Sequence, residues 1–177
     1  MEYKVINKQN NSRDCVICGL RNSSSLKTQF FELENKTVAG IFMGREEHQS
    51  YNNRMHGGMI SAILDETIGR AMQINNPDIW AVTGELKIRF KKPVPLGVML
   101  KAVGKITAES SRSFTGVGFI EDEEGNLLAT ASGMYVKLPI ETIAEGGMSN
   151  EDWFCCPLKQ DPKAIDVKNM DILDRIN

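Results

Sequence analysis

The sequence predicts an α+β domain in which an antiparallel sheet of about six strands wraps around one long central helix. Tyr51 to Met72, YNNRMHGGMISAILDETIGRAM, is read as a loop running through His56-Gly57-Gly58 into a helix, where Met59, Ile60, Ile63, Leu64 and Ile68 cover so much of the circumference that protein must surround it. One hairpin pattern precedes this stretch, and a run of strand patterns on short turns follows it. Consecutive strands on short turns pair antiparallel, which excludes a doubly wound parallel sheet.

Taken in order, residues 1–14 show no periodic pattern and are expected to form a loose lead-in, which a Cys15-Val16-Ile17-Cys18-Gly19 turn extends to residue 25. Leu26 to Leu33 and Thr37 to Met43 read as a hairpin turning at Glu34-Asn35-Lys36. Gly44 to Asn53 is a polar loop in which His48 is expected to be exposed. The helix should stop near Ile74, where Asn75-Asn76-Pro77-Asp78 combines helix-ending and turn residues. Val82 to Lys92 alternates Leu86, Ile88 and Phe90 against Glu85, Lys87 and Arg89, a period of two. Pro93 to Gly97 is a turn; Val98 to Ala108, Ser113 to Glu121 and Leu127 to Leu138 complete the sheet, the last two joined through Asp122 to Asn126. Residues 26–139 thus form one domain, and 140–177 a polar extension with a short helix expected from Ala164 to Ile176.

At 177 residues and 41% hydrophobic content, the chain suits one domain with a tail. A net charge of −2 with dispersed Lys and Arg gives no reason to expect nucleic acid as a partner; Arg89-Phe90-Lys91-Lys92 is the one short basic patch. The polar start, MEYKVINKQNNSRD, lacks the apolar core of a signal peptide, and no apolar run approaches the roughly 20 residues that cross a bilayer. A soluble cytoplasmic protein without a membrane partner is expected, its four cysteines reduced rather than paired. Cys15 and Cys18 with Cys155-Cys156 would offer four zinc ligands, but adjacent cysteines are poorly spaced for one tetrahedral ion. They are read instead as small buried hydrophobes, and no metal is expected.

The helix leaves a narrow face of Gly58, Ser61, Ala62, Asp65 and Gly69, positions stacked by their three-, four- and seven-residue spacing. At its start, Gly57 and Gly58 permit close approach to backbone N–H groups that lack helical acceptors, an end that attracts anions and polarised carbonyl oxygens. Asp65 lies about 10 Å further along, too far to meet the same carbonyl within one helix. A second helix packed antiparallel on the small-residue face would bring the partner's Asp65 to Gly57 and Gly58, so a dimer with shared sites is expected. Asp65 interrupts an apolar helix, where an unpaired buried charge costs several kcal/mol, and so is the leading catalytic candidate. Glu66 is rotated by about 100° and is expected to pair with Arg70, four residues on.

His56-Gly57-Gly58, six residues and then Asp65, with AVTGELKIRFKKPVPLG from Ala81 and CVICGLRNSSSL from Cys15, resembles the hotdog-fold acyl-CoA thioesterases of the phenylacetate-degradation (PaaI-like) type. That resemblance spans roughly Cys15 to Leu138. It implies a hotdog fold, hydrolysis of an acyl-CoA thioester to free acid and coenzyme A without a cofactor, and a homodimer that assembles into a tetramer. It implies that Gly57 and Gly58 polarise the thioester carbonyl while Asp65 acts as nucleophile or general base, with Glu66 as the alternative acid. Thr83 would orient water or the acid, and His56 would shape the loop. Asn52 or Asn53 would place an amide against the carbonyl, and Arg89 and Lys91 would meet the phosphates of coenzyme A. An alternative is a non-catalytic acyl-CoA or lipid-ligand binding module of the same fold. A hotdog hydratase is disfavoured, since its Asp and His pair has no counterpart here. Met59, Met72, Met99, Met134 and Phe114 read as core rather than as an acyl pocket.

Overall fold

The computed structural model describes residues 1–74 and 76–176. Its strands are β1 (Glu2–Lys8), β2 (Asn11–Ser12), β3 (Gln29–Leu33), β4 (Val38–Met43), β5 (Ala81–Phe90), β6 (Met99–Glu109), β7 (Ser113–Asp122), β8 (Leu127–Lys137), β9 (Trp153–Phe154) and β10 (Ala164–Asp166). Its helices are α1 (Gly57–Arg70), continued by a 3-10 turn over Ala71–Ile74, and the short α2 (Ile140–Ile143). Asn75, placed at the helix stop by sequence, lies outside the described residues.

An eight-stranded sheet in the order β10-β1-β3-β4-β6-β7-β8-β5 curls around α1, and every pairing in it is antiparallel. This is the hotdog architecture, with more strands than the six expected. The additions are β1 and β10. Residues 2–8 are not a loose lead-in: Val5, Asn7 and Lys8 pair with Leu33, Glu32 and Phe31, and Glu2 to Lys4 pair with β10. The expected helix from Ala164 to Ile176 is instead β10 followed by a 3-10 turn over Met170–Asp174.

Successive residues of the central strands enter opposite faces of the sheet, and both faces are covered. Phe30, Phe42, Leu100, Ala102, Ile120 and Ala129 join Ile60, Ile63, Leu64 and Ile68 of α1 in the inner core. Phe31, Ala39, Val103, Val117 and Phe119 face outward, where Ile165, Val167 and Leu173 of the C-terminal segment cover them. Each Val, Leu, Ile or Phe among them removed from water contributes about 1.5–3 kcal/mol. The C-terminal segment is fastened by Glu121, which is fully buried and accepts hydrogen bonds from Lys168 N (3.0 Å), Asn169 N (3.0 Å) and Asn169 Nδ2 (2.8 Å), with Lys101 Nζ 3.1 Å away.

Candidate active site

The site is organised by the start and the middle of α1. At the start, His56 caps the helix: its Nδ1 accepts from Gly58 N at 2.8 Å, and its own N–H donates to His48 O at 2.8 Å. His48 is buried, not exposed, because its ring is engaged by Arg45 N (3.0 Å) and Ser24 O (2.9 Å). With Gly58 N taken by the cap, Gly57 carries the N–H that has no hydrogen-bond partner among the described residues. A side chain at Gly58 would have to displace the cap, since a Cβ would stand 2.9 Å from His56 Nδ1. Gly57 borders an exposed groove with Tyr51, Arg54, Phe90, Lys91 and Lys92.

Two turns along, Asp65 is half-buried on the wall of a different cavity, of about 300 Å³. Its Oδ1 accepts from Thr83 Oγ1 at 2.8 Å and from Tyr135 OH at 3.2 Å, and its main-chain oxygen also accepts from Tyr135 at 3.0 Å. Its Oδ2 has no partner among the described residues. Burial, with the Asp65 carboxylate beside it, pushes the Tyr135 hydroxyl well above its usual range, so this donor keeps its proton. Tyr135 also stacks on Phe114, centroids 4.9 Å apart, which fixes the ring.

Glu66 lines the same cavity but is committed elsewhere. Its Oε1 accepts from Arg70 Nε (2.9 Å) and Nη2 (2.8 Å), the expected pairing, and its Oε2 accepts from Cys15 Sγ at 3.1 Å. Arg70 is buried between the rings of Phe30 (4.1 Å) and Trp153 (4.7 Å). Cys18 donates to Cys15 in turn; that bond and burial push the Cys18 thiol far up, while the Cys15 thiol, accepting from Cys18, is lowered.

The structure therefore brings together Asp65, Thr83 and Glu66 on one cavity, and Gly57 and Lys91 on another. Asn52 and Asn53 sit exposed in the turn and line neither; Asn53 has φ 55°, and its N–H donates to Gln49 Oε1. Arg89 faces a third depression, with Leu127 and Arg175. Missed in the sequence were Tyr135 and the wall supplied by Cys15, Cys18, Trp80 and Trp153. Tyr135 had a usable signal, because Ala129, Ala131, Gly133 and Tyr135 alternate along β8 and place a single phenol on the helix side. Trp153 reaches the cavity because β9 pairs with β2, a contact between chain ends that no local pattern announces.

An antiparallel sheet curled about one helix whose acid faces a cavity defines a hotdog-fold protein, and residues 52–129 match the family model described as Thioesterase superfamily. This stretch is similar to the thioesterase superfamily, in keeping with the hotdog architecture of the sheet and helix. The chain is 26% identical over 113 residues to the acyl-coenzyme A thioesterase THEM4 of Mus musculus; the match takes in 63% of the chain and 48% of that relative, so the chain spans about half its length. Among solved structures, the BH2602 protein from Bacillus halodurans with CoA superposes with a TM-score of 0.59 at 26% identity, over 66% of this chain and 77% of that one. The E. coli PaaI protein from the phenylacetic acid degradation operon gives 0.58 at 16% identity, over 66% and 83%, a likeness of fold. No helix among the described residues is long and apolar enough to cross a membrane.

Proposed function

We propose that the protein is an acyl-CoA thioesterase whose sites are shared between two copies of the chain. The observation that carries this reading is the Asp65 carboxylate: one oxygen is held by two hydroxyls and the other has no partner among the described residues, on a cavity whose apolar wall is Met72, Ile79, Trp80, Phe114 and Trp153 and whose polar wall includes Glu66 and Arg70. The apolar wall suits an acyl group. A partner chain is needed because Gly57, with its unpaired N–H, opens on a separate groove. It is favoured by β5, a ten-residue strand at the edge of the sheet, largely exposed, whose free edge is a template for pairing with a second chain.

In the assembled site, Gly57 N–H of one protomer polarises the thioester carbonyl and stabilises the oxyanion that develops on it. Lys91 and Lys92 of the same groove meet the phosphates of coenzyme A. Asp65 of the other protomer accepts a proton from water through Oδ2; the water oxygen bonds to the carbonyl carbon, the carbon–sulfur bond breaks, and the proton passes to the departing thiolate. Direct attack by Oδ2, giving an anhydride that water then opens, uses the same geometry. Thr83 and Tyr135 hold the carboxylate in either case, and Glu66, bound to Arg70 and Cys15, is not the acid. THEM4 is named an acyl-coenzyme A thioesterase and BH2602 is solved with CoA, which supports this choice of substrate class.

The test is thiol release from a panel of acyl-CoAs by the wild-type chain and by Asp65→Asn. Turnover that falls by about 10²–10⁴ in the variant is expected, the range contributed by a positioned base. CoA-ester binding without turnover by the wild type would make the protein a binding module, and turnover unaffected by the substitution would remove Asp65 from the mechanism.

A further inference from the structure

Cys15, Cys18 and Glu66 take no part in the reaction proposed above, yet they converge. Their two Sγ atoms and a carboxylate oxygen all lie within 4.8 Å of one another, on the wall of the Asp65 cavity. Two sulfurs and a carboxylate at this spacing make a zinc donor set, since ligands at about 2.0–2.3 Å from a tetrahedral ion stand roughly 3–4 Å apart. We infer that this cluster binds a zinc ion through Cys15 Sγ, Cys18 Sγ and Glu66 Oε2, with the fourth position open to the cavity.

The turn is built for sulfur ligands. Ile17 N donates to Cys15 Sγ at 3.2 Å and Ser12 N to Cys18 Sγ at 3.3 Å, so backbone N–H groups hold both sulfurs in place. Gly19 closes the turn onto Cys15 O at 2.8 Å, where a Cβ would stand 2.2 Å from that oxygen, so a larger residue would break the geometry. Arg70 does the work of an outer shell: it fixes Glu66 through Oε1, donates to Cys18 Sγ at 3.1 Å, and leaves Oε2 turned to Cys15. Charge agrees with geometry. As ligands, two thiolates and Glu66 would present three negative charges to the single positive charge of Arg70, and a divalent cation would restore neutrality in this half-buried place. Cys155 and Cys156 are not needed: Cys155 Sγ is exposed and turned to Lys8 O at 3.7 Å, and Cys156 O accepts from Lys8 Nζ at 2.7 Å. The ion joins the N-terminal turn to α1, and its open position faces the same space as Asp65.

The site is independent of the thioesterase reading and is tested without activity. Full-length reduced chain, stripped with a chelator and given Zn(II), is expected to bind about one equivalent and to melt at a higher temperature. Co(II) in its place should produce sulfur-to-cobalt charge-transfer absorption. Cys15→Ser with Cys18→Ser should abolish both signals, Glu66→Gln should weaken binding by more than about tenfold, and Cys155→Ser with Cys156→Ser should leave it intact. Wild-type chain that is folded, has all four thiols free and yet takes up no zinc and shows no charge-transfer band would overturn the inference. So would uptake that only the Cys155 and Cys156 variant removes. Should the Cys15 and Cys18 variant fail to fold, the cobalt spectrum of the wild type decides.

Discussion

Gly57 and Asp65 stand on one helix, about two turns apart, but their surroundings differ in kind. Around Asp65, Glu66 and Arg70 the chain completes itself: two hydroxyls hold the acid, a guanidinium holds its neighbour, and strands β2, β8 and β9 close the wall. Around Gly57 it does not. The groove is exposed, the N–H has no partner among the described residues, and Phe90 beside it is 57% exposed, although an aromatic of that size is ordinarily covered. The half that holds the acid is finished within one chain, and the half around Gly57 lacks a facing surface. The shared site proposed above would account for both facts together.

The sharpest way to break that contrast is complementation. Gly57→Ala should fold, because its Cβ would meet only Phe90 at an ordinary 3.5 Å, but the added methyl obstructs the approach of a carbonyl to the N–H. Alone, Gly57→Ala and Asp65→Asn should each lower thiol release, the second by about 10²–10⁴. Co-refolded as equal mixtures, they should regain about a quarter of wild-type activity, because half the pairs are mixed and each mixed pair holds one intact site of two in an isologous dimer. A mixture no more active than its parts would place Gly57 and Asp65 in one chain's site or in none.

A second expected effect concerns the finished half. Arg70 is 4% exposed and bonds Glu66, Cys18 and Asn10 O, so Arg70→Met leaves a carboxylate in the interior without its cation. Such a loss costs about 3–5 kcal/mol, to be read as a fall in the denaturant midpoint. The corresponding change in the open half, Lys91→Met, should leave the midpoint within about 0.5 kcal/mol, since its side chain is exposed and bears no buried partner. Equal costs at the two positions would dissolve the distinction.

That distinction also marks what sequence alone reveals. The helix, its glycine start and the pairing of Glu66 with Arg70 were legible because they depend on residues three to seven positions apart. Thr83 was singled out only through the resemblance, and the structure sets its hydroxyl 2.8 Å from Asp65 Oδ1. β1 was not legible: its residues alternate weakly, Val5 and Ile6 are partly or largely exposed, and its strand character comes from pairing with β3 and β10, far apart in sequence. His48 was misread for a related reason. A lone histidine in a polar loop looks solvated until Ser24 O, 24 positions away, is found against its ring. Tyr135 was passed over as one more strand residue because its partner, Asp65, is 70 positions earlier.

The smallest effects belong to the two hydroxyls and sharpen the contrast further. Thr83→Val and Tyr135→Phe each remove one donor to Asp65 Oδ1, a loss of about 0.5–1.5 kcal/mol apiece, and should lower kcat more than KM by loosening the acid. They separate by pH. Tyr135 is buried, and burial first, then the Asp65 charge, raises its folded-state pKa above that of the unfolded chain. A raised pKa means the folded protein resists losing that proton: the stabilisation is full below the unfolded value, about pH 10, and declines as pH rises above it. Stability measured by denaturant from pH 8 upward should therefore slope downward in the wild type and in Thr83→Val, and slope less in Tyr135→Phe. Identical slopes in all three chains would mean that the Tyr135 phenol ionises as freely as one in water, and that the finished half of the helix is open to solvent after all.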